Sequence, residues 1–146
     1  MRQNVYEKDG TLVVADCYNA GIESMCASLE ALSDIKGERK SVAVLGDMLE
    51  LGEASEKLHR MVGKKASETG LCTLVTFGNA ARFIALEAEK NGLRDVHFFE
   101  NKEDAAKLVK KLKEKKIAIL FKASRSMKAE EIIALADLSQ NREELK

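Results

Sequence analysis

Residues 41–59 read SVAVLGDMLELGEASEKLH. Val42 to Leu45 is a continuous apolar run of the kind a fully buried strand presents, and it halts at Gly46-Asp47. A turn of apolar and acidic residues follows. After Gly52 the spacing of Leu58, Met61, Val62 and Ala66 becomes helical. A buried strand, a turn of glycine and acid at its carboxyl end, and then a helix form the unit that decides the fold class. It also poses a functional question, since stability alone asks for neither the acid nor the two glycines.

The same unit recurs on both sides. Upstream, QNVYE, KDG and TLVVAD (3–16) predict a hairpin around an Asp-Gly turn. Ile22, Met25, Cys26, Leu29 and Leu32 then predict a helix closed by Gly37. Downstream, CTLVTF (72–77) is a buried-type strand, followed by Gly78 and a helix through Ala81, Ile84, Ala85 and Ala88 that stops at Asn91-Gly92. VHFFE (96–100) and IAILF (117–121) are two further strands. Between them Asn101 and Asp104 form an N-cap pattern ahead of Ala105, Leu108, Val109 and Leu112. A last helix carries Ile132, Ile133 and Ala136, and the polar tail from Gln140 reads as frayed. Strand and helix alternate throughout, which predicts an α/β fold with a mostly parallel sheet of about six strands. The short apolar strands predict helices on both faces, and QNVYE must be an antiparallel edge strand.

Composition narrows the function classes. A chain of 146 residues, 45% hydrophobic and 33% charged, reads as one globular domain spanning 1–146. Its 24 basic and 24 acidic residues cancel, which argues against nucleic acid or an anionic membrane as the main partner. No apolar run approaches the ~20 residues of a membrane span. Cys17, Cys26 and Cys72 are odd in number and scattered, so they read as small core hydrophobes in a reducing, cytoplasmic setting. His59 is placed on a helix surface and His97 within a strand, away from other metal-binding side chains, so no metal site is predicted. The chain also lacks a G-x-x-x-x-G-K-[ST] phosphate loop, a G-x-G-x-x-G turn and a nucleophile elbow.

Ligands of open α/β sheets bind beyond the carboxyl ends of the strands. The residues following the strands here are Asp16, Tyr18, Asn19 and Gly21; Gly46, Asp47 and Glu50; Gly78 and Asn79; and Lys122, Ser124, Arg125, Ser126 and Lys128. Acids gather on two loops and cations on one, a rim suited to a small charged ligand. Asp16 and Asp47 could instead cap helices. Lys122, Arg125 and Lys128 surround two serines before a helix start, where cations repel the dipole unless an anion is held between them.

Three stretches also resemble a known family in order and distance: DCYNAGIESM (16–25), VLGDMLELG (44–52) with Leu58-His59 following, and FKASRSMKAEEI (121–132). They are similar to the C-terminal domain of the MurF family of Mur ligases, whose members carry D-[DS]-x-Y-N-A-N-P-x-S-M, L-G-D-M-x-E-L-G and K-G-S-R-x-M. The resemblance spans essentially the whole chain and implies a Rossmann-like three-layer sandwich, cut from a three-domain enzyme. It implies ATP-dependent addition of D-alanyl-D-alanine to UDP-N-acetylmuramoyl-tripeptide through an acyl phosphate. ATP and magnesium would be held mainly by the central domain, with the N-terminal and central domains as partners in cis. By position, Asp16, Tyr18 and Asn19 would face the nucleotide, and Asp47, Lys122, Ser124 and Arg125 the dipeptide, with the cations suiting its carboxylate. Gly21-Ile22 stands in place of the family's Asn-Pro, Ala15 where many members have an Asp, and Ala123 in place of a glycine, where a positive φ would be strained.

Two other readings rest on the residues alone. Asp16, Asp47 and Lys122 also suit a phospho-receiver module, but the strand that should end in a phosphorylatable Asp runs into Gly78-Asn79. A free-standing small-molecule-binding domain would bind its ligand unaided.

Overall fold

The computed structural model describes residues 4–18, 20–113 and 115–140. Strand β1 (Asn4–Lys8) pairs antiparallel with β2 (Thr11–Asp16), with Lys8 opposite Thr11. Asp9 and Gly10, at φ 51° and 88°, make the turn between them. Two successive positive φ values are what a tight hairpin loop requires, and Asp-Gly supplies them.

Four more strands follow: β3 (Lys40–Gly46), β4 (Thr73–Phe77), β5 (Val96–Phe99) and β6 (Ile117–Lys122). The sheet order is β1-β2-β6-β3-β4-β5, with every pair beyond the opening hairpin parallel. Alternate side chains feed two cores. Val42, Val44, Ile119 and Phe121 face one way, under α4 (Lys102–Leu112) and the short α5 (Glu130–Leu135). Ala43, Leu45, Ala118 and Leu120 face the other, under α1 (Ile22–Ile35), α2 (Ser55–Glu68) and α3 (Arg82–Lys90). The three layers, the mostly parallel sheet and the antiparallel edge all follow the sequence pattern. Asn101 caps α4 by accepting a hydrogen bond from the Asp104 N–H at 2.9 Å, as its spacing predicts.

Some readings need correction. His59 is fully buried, not on a helix surface, because it shares the inward stripe of α2 with Val62 and Ala66. Cys72 is exposed, whereas Cys17 and Cys26 are half-buried. Ala123 is fully buried and does not adopt a positive φ, so it carries no strain. α1 starts at Ile22 without a proline, its first turn closed by the Met25 N–H on the Gly21 carbonyl at 2.9 Å. The expected frayed end, 141–146, lies outside the described residues. Among the described residues no helix is long and apolar enough to cross a membrane.

Candidate functional site

Because β2, β6, β3, β4 and β5 run parallel, their carboxyl ends share one edge of the sheet. Asp16 and Lys122 are partners across β2 and β6, and follow Val14 and Leu120 onto the face that α1 covers. Their side chains meet there. Lys122 Nζ donates to Asp16 Oδ2 at 2.5 Å, and Ser28 Oγ from α1 donates to the same oxygen at 3.4 Å. Lys122 is 1% exposed and Asp16 4%, so two charges are desolvated together and neutralise one another. The expected cluster of three cations therefore does not form. Lys122 is drawn into the buried pair, and α5 opens on Glu130 and Glu131, acids that suit its positive end.

Asp47 does cap a helix, though not the one that follows it in the chain. Its Oδ1 accepts from the Ala81 N–H at 2.7 Å and its Oδ2 from the Asn79 N–H at 3.1 Å, in the turn that opens α3. Its carbonyl accepts from the Ser124 N–H at 3.0 Å. The next two amides are taken as well: Met48 N–H donates to His59 Nε2 at 2.9 Å, and Leu49 N–H to Ser124 Oγ at 2.8 Å. His59 Nδ1 lies 2.7 Å from the Ser55 carbonyl, which can only accept, so Nδ1 carries the proton and Nε2 offers its lone pair. Residues 47–49 are thus pinned from three separate elements.

Close packing completes the clamp. A Cβ on Gly46 would lie 2.6 Å from Phe77 Cζ and 2.8 Å from the Ala123 methyl. Gly78, at φ 113°, leaves room for the Asp47 carboxylate, which a Cβ there would approach to 2.6 Å. These contacts explain the acid and the first glycine in the opening stretch.

Outside this buried layer the side chains turn to solvent. Tyr18 is 50% exposed, and the Arg125 guanidinium sits over its ring, 5.3 Å from the centroid. The two border a cavity of about 700 Å³ together with Leu49, Glu50, Lys128 and Glu130. They also border a smaller one of about 360 Å³ that reaches Tyr6 and Cys17. Burial, with Glu130 and Asp16 adding to it, pushes the Cys17 thiol up to about 12. Glu50 and Lys128 on the larger cavity hold φ of 62° and 52°, a left-handed backbone that non-glycine residues adopt at a cost. A third cavity, of about 480 Å³, opens beyond β4 and β5, where Gly78, Arg82, Phe98, Glu100 and Met127 line it.

Tyr18 and Arg125, expected on different sides of the site, stand together, whereas Asp16, Asp47, Lys122 and Ser124 are bonded into the fold. Asn19 lies outside the described residues. Sequence reasoning missed His59, although its spacing of three and seven from Val62 and Ala66 marked it as inward. Among the described residues no group of three or more His, Cys, Asp or Glu could hold a metal ion. The two acids that a receiver module would pair are each engaged elsewhere, Asp16 by Lys122 and Asp47 by the Asn79 and Ala81 amides.

The sequence profile of the Mur ligase glutamate ligase domain matches residues 1–125, a span that includes both buried acids, Lys122 and Arg125. The chain belongs to the Mur ligase family. Among the proteins similar to this Mur ligase domain is the UDP-N-acetylmuramoyl-tripeptide–D-alanyl-D-alanine ligase of Bacillus subtilis. It is 38% identical over 135 residues, covering 91% of this chain and 30% of that protein. The Escherichia coli enzyme of the same name is 34% identical over 130 residues, covering 86% and 26%. Among solved structures, MurF ligase from Thermotoga maritima in complex with ADP superposes at a TM-score of 0.76 with 31% identity, covering 92% of this chain and 30% of that one. MurF from Acinetobacter baumannii superposes at 0.81 with 29% identity, covering 92% and 29%. The chain therefore spans about 30% of the length of the relatives it matches.

Proposed function

We propose that this Mur ligase domain is the closing part of an ATP-dependent peptide ligase, a cytoplasmic enzyme of three domains. It would join D-alanyl-D-alanine to UDP-N-acetylmuramoyl-tripeptide in peptidoglycan assembly. The observation that carries this reading is a rigid loop beside an open one: residues 47–49 are held by His59, Ser124 and the turn before α3, while Tyr18, Arg125 and Lys128 border a cavity of about 700 Å³.

In this reading the tripeptide carboxylate is activated by phosphoryl transfer from ATP, and the dipeptide amine then attacks the acyl phosphate. The N-terminal and central domains hold the nucleotide sugar, the phosphates and magnesium. The residues present fit a nucleotide only in part. Tyr18 offers a flat, half-exposed ring and Arg125 a guanidinium for an anionic group. Asp16 does not fit direct contact with a ribose, since its carboxylate is buried against Lys122. We assign Asp16 and Lys122 the task of locking β2 to β6, so that Tyr18 and Arg125, two and three residues further on, stand side by side. Asn19 stays with Tyr18 on the nucleotide side. Asp47 and Ser124 serve the substrate side by fixing the backbone of residues 47–49, with Arg125 left to meet a substrate carboxylate. A preset wall of this kind lowers the barrier by excluding water from the acyl phosphate and aligning the amine.

The test is phosphate release that depends on D-alanyl-D-alanine, measured in the intact ligase with ATP and the UDP-tripeptide. Turnover is expected, and Arg125→Ala should lower kcat/KM by about tenfold or more, the worth of a charged hydrogen bond, without lowering the melting temperature. Absence of dipeptide-dependent release in the wild-type enzyme would overturn the reading.

A further inference from the structure

We infer that the end of the sheet opposite the cleft is a docking surface for an anionic phospholipid bilayer, on which the domain rests without inserting. Such a surface acts independently of what the cleft binds. The chain as a whole carries no net charge, but its lysines are not spread evenly. Residues 107–116, KLVKKLKEKK, hold six of them and one acid, Glu114, which lies outside the described residues. α4 leads from the carboxyl end of β5 to the amino end of β6, so its last turn and the loop after it lie at the far end of the sheet.

Contacts of the fold gather further lysines there. The Lys40 N–H donates to the Lys116 carbonyl at 3.3 Å, which sets the first residue of β3 beside the last before β6. Thr11 Oγ1 donates to the Lys113 carbonyl at 3.4 Å, and Lys8 stands opposite Thr11 in the hairpin. Lys110 pairs with Asp137 at 3.1 Å and, with Lys113 and Lys8 nearby, holds that carboxyl below the usual range. Lys40, Lys111, Lys115 and Lys116 are exposed and form no ion pair among the described residues. Of the acids at this end, Glu7 is held by Arg39 and Asp137 by Lys110, while Asp9 and Glu38 lie at the margins.

Two features favour lipid over a polynucleotide. The four unpaired cations are all lysines, hydrated point charges suited to a diffuse layer of headgroups, whereas Arg39, whose fork would recognise a phosphate, is taken up by Glu7. The exposed apolar side chains here are aliphatic: Ile35 ends α1 and Leu135 ends α5, two residues before Asp137, at 43% and 49% exposure. α1 and α5 cover opposite faces of the sheet, so the two bracket the lysines. Tyr18 and Phe98, exposed rings on which bases could stack, belong to the cleft end. Lysines that reach headgroups beside aliphatic side chains at the acyl boundary make a peripheral contact. The six residues of β6, about 20 Å long, keep Tyr18 and Arg125 clear of the bilayer.

The test is sedimentation of the intact ligase with vesicles of phosphatidylcholine alone and of an equal mixture with phosphatidylglycerol. Binding to the mixed vesicles only, lost in high salt, is expected. Lys111→Gln with Lys116→Gln should weaken it about tenfold or more, whereas Lys57→Gln with Lys64→Gln, an equal loss of charge from the exposed side of α2, should change it by less than about twofold. Neither pair should alter turnover or melting temperature. A wild type that does not sediment with the mixed vesicles, or binding that Lys111→Gln with Lys116→Gln leaves unchanged, would overturn the surface and leave the ligase reading standing. An equal loss in both pairs, or a lowered melting temperature in the first, would overturn it too. A gel shift of duplex DNA at the same salt, abolished by the first pair, would reassign the lysines to nucleic acid.

Discussion

Two acids end up buried at the same edge of the sheet, and the fold treats them differently. Asp16, at the end of β2, is neutralised by the Lys122 ammonium from β6. Asp47, just past β3, has no ion pair among the described residues and is held by two backbone N–H groups before α3. The first ties two strands together through paired charges. The second ties a loop to a helix through dipoles. Removing one member of a buried ion pair strands the other charge, whereas weakening an amide-held carboxylate leaves only a neutral donor without its partner.

That contrast can be broken first at the pair. Asp16→Asn alone should destabilise the protein by about 3–5 kcal/mol, because Lys122 would stay buried without its counter-charge. Asp16→Asn with Lys122→Met should cost far less than the two single changes summed, as chemical denaturation of all three variants would show. A double variant as unstable as that sum would mean the two groups act independently. Asp47→Asn comes next. A side-chain amide has one acceptor oxygen for two N–H donors, so the loss should be about 1–3 kcal/mol, read from the same denaturation curves. No loss would mean that the loop has other anchors.

His59 sharpens the comparison, since it holds the same loop by a neutral bond. A Gln side chain can place an oxygen near Nε2 and keep the Met48 bond, whereas Asn reaches only the Nδ1 position. His59→Asn should therefore speed amide hydrogen exchange at Met48 and cost about 1 kcal/mol, a typical buried hydrogen bond, with His59→Gln closer to wild type. The smallest effect concerns Cys17, beside Asp16. With its thiol pushed up to about 12 by burial, the thiolate is scarce at pH 8 and gains only toward that value. Iodoacetamide at pH 8 should mark the exposed Cys72 well before Cys17, as peptide mass spectrometry would record.

Much of the fold was legible because periodicity reports burial. The buried runs Val42–Leu45 and Ile117–Phe121, the Asp-Gly turn and the Asn101 cap each depend on local geometry that short sequence windows encode. The site was legible only in outline. The strand-end rule located the correct edge of the sheet, but it could not show that Asp16 and Lys122, 106 residues apart, would find each other. Nor could it show that Asp47 would cap α3 from 34 residues away. Both partnerships depend on strand order, which puts β6 between β2 and β3 and β4 beside β3, and which no local pattern specifies. The residues that end the strands are thus absorbed by the fold. Those one turn further, Tyr18 and Arg125, face outward.

The separation between supporting and contacting residues is the central claim, and one paired measurement tests it: melting temperature and kcat/KM on the same preparations of Asp47→Asn and Arg125→Ala in the intact ligase. Asp47→Asn should melt lower than wild type, while Arg125→Ala should keep its melting temperature and lose kcat/KM. An Arg125→Ala protein that melts as low as Asp47→Asn, with kinetics intact, would contradict the account.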